Sequence, residues 1–311
     1  MRILITGGFG FVGARLAAHL ATRRHQIILG TRKSMKAPNW LPDADVEAIN
    51  WENSSELKTI CQKVDIVIHS AGMNAQDCLD SPVDALAFNG VSTARLVSAA
   101  REAGVSKFIY ISTAHVYASP LVGNFTEESC PTNLHPYATS HLAGEYSVLN
   151  VNSRQDLVGI VLRLSNTFGE PMHNNINCWN LVVNDLCKQA VEKGKMIIKN
   201  SVFQQRDFIG LDSVCNVVEY MVVNNFENYN NNIYNVGTGK SKSIFQMAEL
   251  IQQRCDNILG YKPGIEYKKE INNKKIFELN YNINKIRSIG INVENFKKKT
   301  EIDKLLQFCK L

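Results

Sequence analysis

Short β-branched and aliphatic runs alternate along the first half of the chain with stretches whose apolar positions recur every three or four residues. The first periodicity predicts buried strands and the second amphipathic helices. Strands are expected at Ile3–Thr6, Gln26–Gly30, Asp65–Ser70, Lys107–Ser112 and Gly159–Leu164. Helices are expected over Phe11–Thr22, Ser54–Lys63, Asp84–Ala103 and Tyr137–Val151. Strand and helix in strict alternation build a parallel sheet, and right-handed crossovers wind it on both faces. The fold class is therefore α/β, a doubly wound parallel sheet.

Beyond Gly169 the pattern loosens. A helix is expected at Asn180–Lys193, another at Asp212–Val223, and a strand returning to the sheet at Ile233–Val236. This predicts a dinucleotide-binding domain from residues 1–170 and 207–236, and a smaller substrate lobe from 171–206 and 237–311. No internal repeat interrupts this plan.

Composition narrows the class. A hydrophobic fraction of 45% with 20% charged residues is that of an ordinary globular protein, not a disordered one. Eight scattered cysteines make no Cys-x-x-Cys pair and no His/Cys ligand spacing, which implies reduced thiols, no disulfide framework and no structural metal. The chain enters a strand at once and contains no run of membrane-spanning length, so a cytoplasmic protein without a membrane partner is expected. The net charge is +5, and from Tyr261 onward Lys and Arg outnumber Asp and Glu by twelve to six. Those cations are interspersed with Asn and lack interleaved aromatics, which disfavours nucleic acid and suits a small anionic substrate.

The first strand runs into TGGFGFVG, Thr6 to Gly13, and then into a helix. Gly7 allows the tight turn, Gly10 lets a pyrophosphate approach the backbone, and Gly13 lets helix and strand pack closely. The helix N-terminus adds free N–H groups and positive potential. After the second strand comes Gly30-Thr31-Arg32-Lys33, with no carboxylate to hold a ribose 2′-hydroxyl. Arg32 and Lys33 favour a 2′-phosphate, hence NADP over NAD.

Further motifs carry a family resemblance: DIVIHSAG (Asp65 to Gly72), Asn89-Gly90-Val91-Ser92-Thr93, KFIYISTAHVYA, Pro136-Tyr137-Ala138-Thr139-Ser140-His141, LRLSNTFGE, QQRDFIGLDSV and YNVGTGKSKSI. In this order they resemble the extended short-chain dehydrogenase/reductase family, the nucleotide-sugar epimerases, dehydratases and reductases. The resemblance implies a Rossmann sheet with a smaller C-terminal substrate lobe, and covers residues 1 to about 250. It implies that Phe11 and Val12 join the glycines at the cofactor, and that Ala71 and Gly72 end a strand passing beneath it. Asn89 would support the active site. Thr113 would be the catalytic hydroxyl and Tyr137 the proton donor, and both Tyr137 and residue 141 would face the cofactor. Asn166 and Arg206 would hold the diphosphate of a nucleoside-diphosphate sugar, with His115 lining the pocket. Lys274 or Lys275 would stand where some relatives place a second phosphate-binding cation. Family members pair as homodimers through the two helices corresponding to Asp84–Ala103 and Tyr137–Val151.

One position departs from the family: the lysine four residues after the tyrosine is His141. Residue 141 lies one helical turn from Tyr137 on the same face, so its placement is right. Imidazole is shorter than a lysine side chain and titrates near 6.5. To do the work of the lysine, His141 must be a cation or a strong donor beside Tyr137 and the ribose, and activity then falls as pH rises past its pKa. Dehydratases of the family carry an Asp-Glu pair after the catalytic Thr, and the 3,5-epimerase/reductases a Cys; here Ala114 and His115 follow Thr113. The expected activity is NADPH-dependent reduction of a 4-keto nucleotide sugar. An NAD-retaining 4-epimerase and a non-catalytic NAD(P)-binding scaffold or sensor are the alternatives. His135 and His173 have no assigned role, and Trp51 is expected to edge the adenine pocket.

Overall fold

The computed structural model describes all residues except 155–156, 200–201, 226–231, 268–277, 294–297 and 311. Lys274 and Lys275 lie outside the described residues. The chain divides into two compact units, one of residues 1–118, 130–163 and 215–234, the other of 119–129, 164–214 and 235–311. Residues 119–129, 164–170, 207–214 and 235–236, expected with the dinucleotide-binding domain, thus fall in the second unit.

The first unit is organised by a seven-stranded sheet. Its strands are β1 (Arg2–Thr6), β2 (Gln26–Thr31), β3 (Asp45–Ala48), β4 (Ile66–His69), β5 (Lys107–Thr113), β6 (Val158–Leu164) and β7 (Ile233–Val236). The spatial order is β7-β6-β5-β4-β1-β2-β3, with the order reversing beside β1 as in a doubly wound sheet. Pairings β1–β2, β1–β4, β2–β3 and β4–β5 are parallel. Leu4, Ile28, Val67, Phe108 and Val161 meet Leu57, Leu96, Ala100 and Val148 in one core. Register places Thr6 opposite His69, and His69 opposite Tyr110. Three polar side chains therefore stand in one row, at the C-terminal ends of β1 and β4 and midway along β5, leading toward the end at which open α/β sheets bind ligands.

The helix expected over Asp84–Ala103 is composite. A short α segment, Pro82–Ala85, leads into a π-helical turn, Leu86–Ser92, and the α-helix resumes at Thr93–Glu102. The widened turn holds Asn89. Its carbonyl accepts the Thr93 hydroxyl at 2.6 Å, and its side chain accepts from Met73 N at 2.9 Å and donates to Ser140 Oγ at 3.0 Å. Apolar spacing shows a helix here but not that one of its turns is widened, since π turns occur as single turns inside α-helices.

The helix Pro136–Asn150 starts from His135, whose Nδ1 accepts the Tyr137 N–H at 3.2 Å, with Pro136 at the first helical position. A buried ion pair fastens it to the sheet: Arg163 Nη2 donates to Glu145 Oε2 at 2.6 Å, and Ser112 Oγ donates to Glu145 Oε1 at 2.5 Å. The guanidinium lies 4.6 Å above the Tyr117 ring.

The second unit has its own core, in which Phe168, Leu186, Met196, Phe208, Met247, Ile251, Ile302 and Leu305 meet. Its helix Ile244–Leu259 opens with a capping box, Ser243 and Gln246 bonding each other's backbone. The strand Gln205–Gly210 pairs in parallel with Asn166–Phe168 and antiparallel with Ser241–Ser243. Six of the eight cysteines are buried and none is bridged. No helix among the described residues is long and apolar enough to cross a membrane.

Candidate active site

The glycine loop forms a cradle that side chains would fill. Gly7 has φ +65°, a conformation that favours glycine, and a Cβ there would stand 2.9 Å from Ala71 Cα. A Cβ on Gly13 would run into the Gly7 carbonyl and stand 2.7 Å from Ser70 Oγ, so only glycine lets this helix press onto the ends of β1 and β4. The helix Phe11–Thr22 has no side-chain cap, and exposed Gly10 stands at its N-cap position. Unbonded N–H groups at an open helix start fit a pyrophosphate, so these residues suit a dinucleotide. Gly8, unassigned in the sequence, is equally constrained: a Cβ would meet the Leu29 side chain at 2.9 Å.

Beyond β2, Arg32 and Lys33 are exposed. Arg32 lines a cavity of about 1120 Å³ together with Asn50, Trp51, Glu52, Met73 and Phe88. Trp51 packs edge-on against Phe88, with ring centroids 5.3 Å apart. It thus stands at the edge of this cavity.

Thr113 ends β5, and its hydroxyl accepts the His115 N–H at 3.1 Å, capping the turn Ala114–Val116. The Tyr137 hydroxyl hydrogen-bonds Thr113. Desolvation raises the Tyr137 pKa above its usual 10, and the Thr113 bond only partly offsets this. The His141 ring lies edge-on to Tyr137 with centroids 4.6 Å apart. Burial pushes the His141 pKa down to about 4. Burial thus favours an uncharged imidazole at neutral pH, which leaves His141 a hydrogen-bond donor rather than a cation; desolvation is the cause acting on it.

Behind His141 stands a polar row that sequence reasoning left unassigned. Tyr110 Oη lies 2.9 Å from His141 Nδ1, and His69 stacks on Tyr110 with centroids 5.5 Å apart. His69 bonds Thr6 Oγ1 through Nδ1 at 2.6 Å and Thr93 Oγ1 through Nε2 at 2.9 Å. Burial, and secondarily His141, pushes the His69 pKa down to about 3. A histidine and a tyrosine inside the apolar runs DIVIHS and FIYIS were the available signal, since buried polar groups need partners.

The structure brings Thr113, Tyr137 and His141 together with Asn89 and Gly72. A Cβ on Gly72 would lie 3.5 Å from Asn89 Oδ1 and 3.7 Å from His141 Nε2. His115 is half-buried on the turn after Thr113, where its carbonyl accepts Asn133 Nδ2 at 2.7 Å.

Asn166 and Arg206 belong to the second unit. Asp207 accepts from Ser165 Oγ, Thr238 N, Thr238 Oγ1 and Lys240 N, at 2.8–3.2 Å. With Asp207 locked inward, strand alternation turns Arg206 to the opposite face. There its guanidinium bonds Gln204 Oε1 at 3.0 Å, and burial lowers its pKa. Asn166 Nδ2 donates to the Asp207 carbonyl at 3.1 Å.

A family model described as "NAD dependent epimerase/dehydratase family" matches residues 3–237. The chain belongs to that family. It is 30% identical over 267 residues to a dTDP-D-glucose 4,6-dehydratase of Mus musculus, covering 81% of this chain and 72% of the relative. It is 24% identical over 299 residues to a putative UDP-glucose 4-epimerase of Methanocaldococcus jannaschii, covering 93% and 92%. Among solved structures it resembles a UDP-N-acetylglucosamine 4-epimerase from Methanobrevibacter ruminantium, with TM-score 0.81, 19% identity, and 99% and 97% of the two chains covered.

Proposed function

We propose that this protein is an NADPH-dependent reductase of a nucleoside-diphosphate 4-keto sugar. The observation that carries it is Arg32, exposed at the rim of a cavity with no carboxylate at the end of β2 to hold a ribose 2′-hydroxyl; burial, which raises the Tyr137 pKa and lowers that of His141, is in keeping with the same direction. Reduction starts from a protonated tyrosine; oxidation of a sugar hydroxyl starts from a tyrosinate, which a neighbouring cation would favour and a neutral imidazole does not.

The cofactor supplies the hydride. Thr113 orients the keto oxygen, and Tyr137 Oη delivers its proton as the alkoxide develops. Gly7, Gly10, Phe11, Val12 and Gly13 cradle the pyrophosphate, with Ala71 and Gly72 beneath the cofactor and His141 Nε2 toward the nicotinamide ribose. Arg32 and Lys33 take the 2′-phosphate. Arg206 and Asn166 take the sugar-nucleotide diphosphate, and His115 lines the sugar pocket. Ala114 and His115, where dehydratases of the family carry Asp-Glu, leave no acid/base pair for eliminating water, despite the identity to dehydratases. The protein works as a homodimer.

An NAD-retaining 4-epimerase is the second reading, favoured by the near full-length match to the putative epimerase. The test is to purify the protein, release and identify its bound nucleotide, and assay NADPH oxidation with a panel of nucleotide-linked 4-keto sugars. NADPH turnover with loosely held cofactor is expected. Stoichiometric tightly bound NAD with C4 inversion of a nucleotide hexose would replace this reading by the second, and a protein that binds dinucleotide but turns over nothing would be a scaffold.

A further inference from the structure

We propose that Tyr110 is a positioning residue that sets the tautomer of His141. Its hydroxyl donates to Nδ1, so that the neutral imidazole presents an Nε2–H donor beside Gly72, toward a ribose hydroxyl. The inference rests on the reading of His141 given above, and concerns which proton the imidazole carries.

Hydrogen-bond directions follow from one fixed point. The Asn89 carbonyl can only accept, so the Thr93 hydroxyl donates to it at 2.6 Å. His69 Nε2, 2.9 Å from the same oxygen, must then be the donor there. A neutral ring has one proton, so His69 Nδ1 accepts from Thr6 at 2.6 Å. The row runs one way, Thr6 to His69 to Thr93 to Asn89 O.

Among the described residues the hydrogen-bond partner of Tyr110 Oη is His141 Nδ1, 2.9 Å away. Were the hydroxyl to accept from an Nδ1–H, its own buried proton would be left without an acceptor, whereas donating to Nδ1 satisfies both groups. The one proton of the neutral ring is then on Nε2, on the side of the ring near Gly72. The titratable groups nearest the imidazole are Tyr110 from β5, Tyr137 from its own helix and His69 from β4. Behind them, Cys78 acts on both tyrosines, and Glu145, paired with Arg163, acts on Tyr110.

Gly144 belongs to the same device. A Cβ there would stand 2.7 Å from Tyr110 Oη, so the helix Pro136–Asn150 admits the hydroxyl only because residue 144 has no side chain. A glycine inside a helix is unfavourable relative to alanine, and the Tyr110 hydroxyl and the Asn89 carbonyl, which a Cβ would meet at 2.8 Å, occupy the space it leaves.

The test is long-range ¹H–¹⁵N correlation on protein with ¹⁵N-labelled histidine, with the His141 signals assigned by His141→Gln. The wild type is expected to show His141 as the neutral Nε2–H tautomer at pH 7. In Tyr110→Phe the two tautomers should mix, and the cofactor dissociation constant should rise about threefold to tenfold, without a new ionisation in the pH profile. An Nδ1–H tautomer or an imidazolium in the wild type at pH 7 overturns the proposal, as does an unchanged tautomer in Tyr110→Phe. The wild-type spectrum decides the point even if the variant folds poorly. The spectrum needs neither substrate nor turnover, so an Nε2–H tautomer in a protein that reduces nothing would refute the reductase reading alone.

Discussion

At the scale of single residues, the chemistry turns on how little charge surrounds Tyr137. Its pKa is raised above 10 by desolvation, and His141, pushed down to about 4, contributes no cation at neutral pH. A group required in its acid form sustains a constant rate below its pKa and loses it above. The kcat/KM for reduction should therefore be flat from pH 6 to 9, with no inflection near 6.5, whereas oxidation should rise about tenfold per pH unit, as a required base with a high pKa demands. A fall in reduction between pH 6 and 7 would mean that His141 acts as its cation. Replacing it, His141→Lys, supplies a charge next to Tyr137 and should bring the break in the reduction profile down into the range of about pH 7–9. Tyr137→Phe removes the proton donor, and kcat should drop by roughly 10²–10⁴; a loss under tenfold would assign the proton to another group.

Elements place these residues, and the helix Pro136–Asn150 places most of them. It is held to β5 and β6 by Glu145, which is 0% exposed and bonds both Ser112 and Arg163. Glu145→Gln leaves the Arg163 charge buried without its counter-charge and should cost about 3–5 kcal/mol in urea unfolding. The paired change Glu145→Gln with Arg163→Met removes the stranded charge and should recover much of that loss. Equal destabilisation by the single and the double variant would show that packing, not charge, holds the helix. The same helix and the composite segment from Pro82 to Glu102 expose apolar side chains: Val83 is 80% exposed, Tyr146 58% and Leu86 51%. Such a face suits a second copy of the chain. Light scattering should report a homodimer, and Leu86→Glu with Tyr146→Glu should yield monomer. A wild-type monomer at micromolar concentration would leave that face without the proposed role.

For the whole molecule, cofactor choice is the property that distinguishes the two enzymatic readings. Arg32 is exposed at the rim of a large cavity, and no carboxylate occupies the end of β2. One charge-assisted contact to a 2′-phosphate contributes about 1.5–3 kcal/mol, roughly tenfold to a hundredfold in affinity. Arg32→Asp should weaken NADPH by that factor and leave NADH nearly unchanged. Wild-type protein that binds NADH as tightly as NADPH would refute the 2′-phosphate contact. Glu52, Glu56, Asp77, Asp80 and Asp84 line the same cavity and would oppose that phosphate, so a shortfall in the measured preference would be traced to them first.

The sequence by itself determined six of the seven strands and the glycine loop, because both are written in local spacing; β3, Asp45–Ala48, has no apolar run to show it. Strands show as apolar runs and Gly7 and Gly13 as the residues a tight turn and a close helix require, whereas Thr113, Tyr137 and His141 were indicated by the family resemblance. Tertiary structure decided what spacing cannot carry. The π-helical turn around Asn89 depends on Met73, Thr93 and Ser140, the last 51 residues away along the chain. The row from Thr6 through His69 to Tyr110 exists only because parallel register puts residues 6, 69 and 110 side by side. Above all, the charge on His141 was open while only its type was known. Its pKa is fixed by how completely neighbouring elements exclude water, and that exclusion is a property of the packed fold.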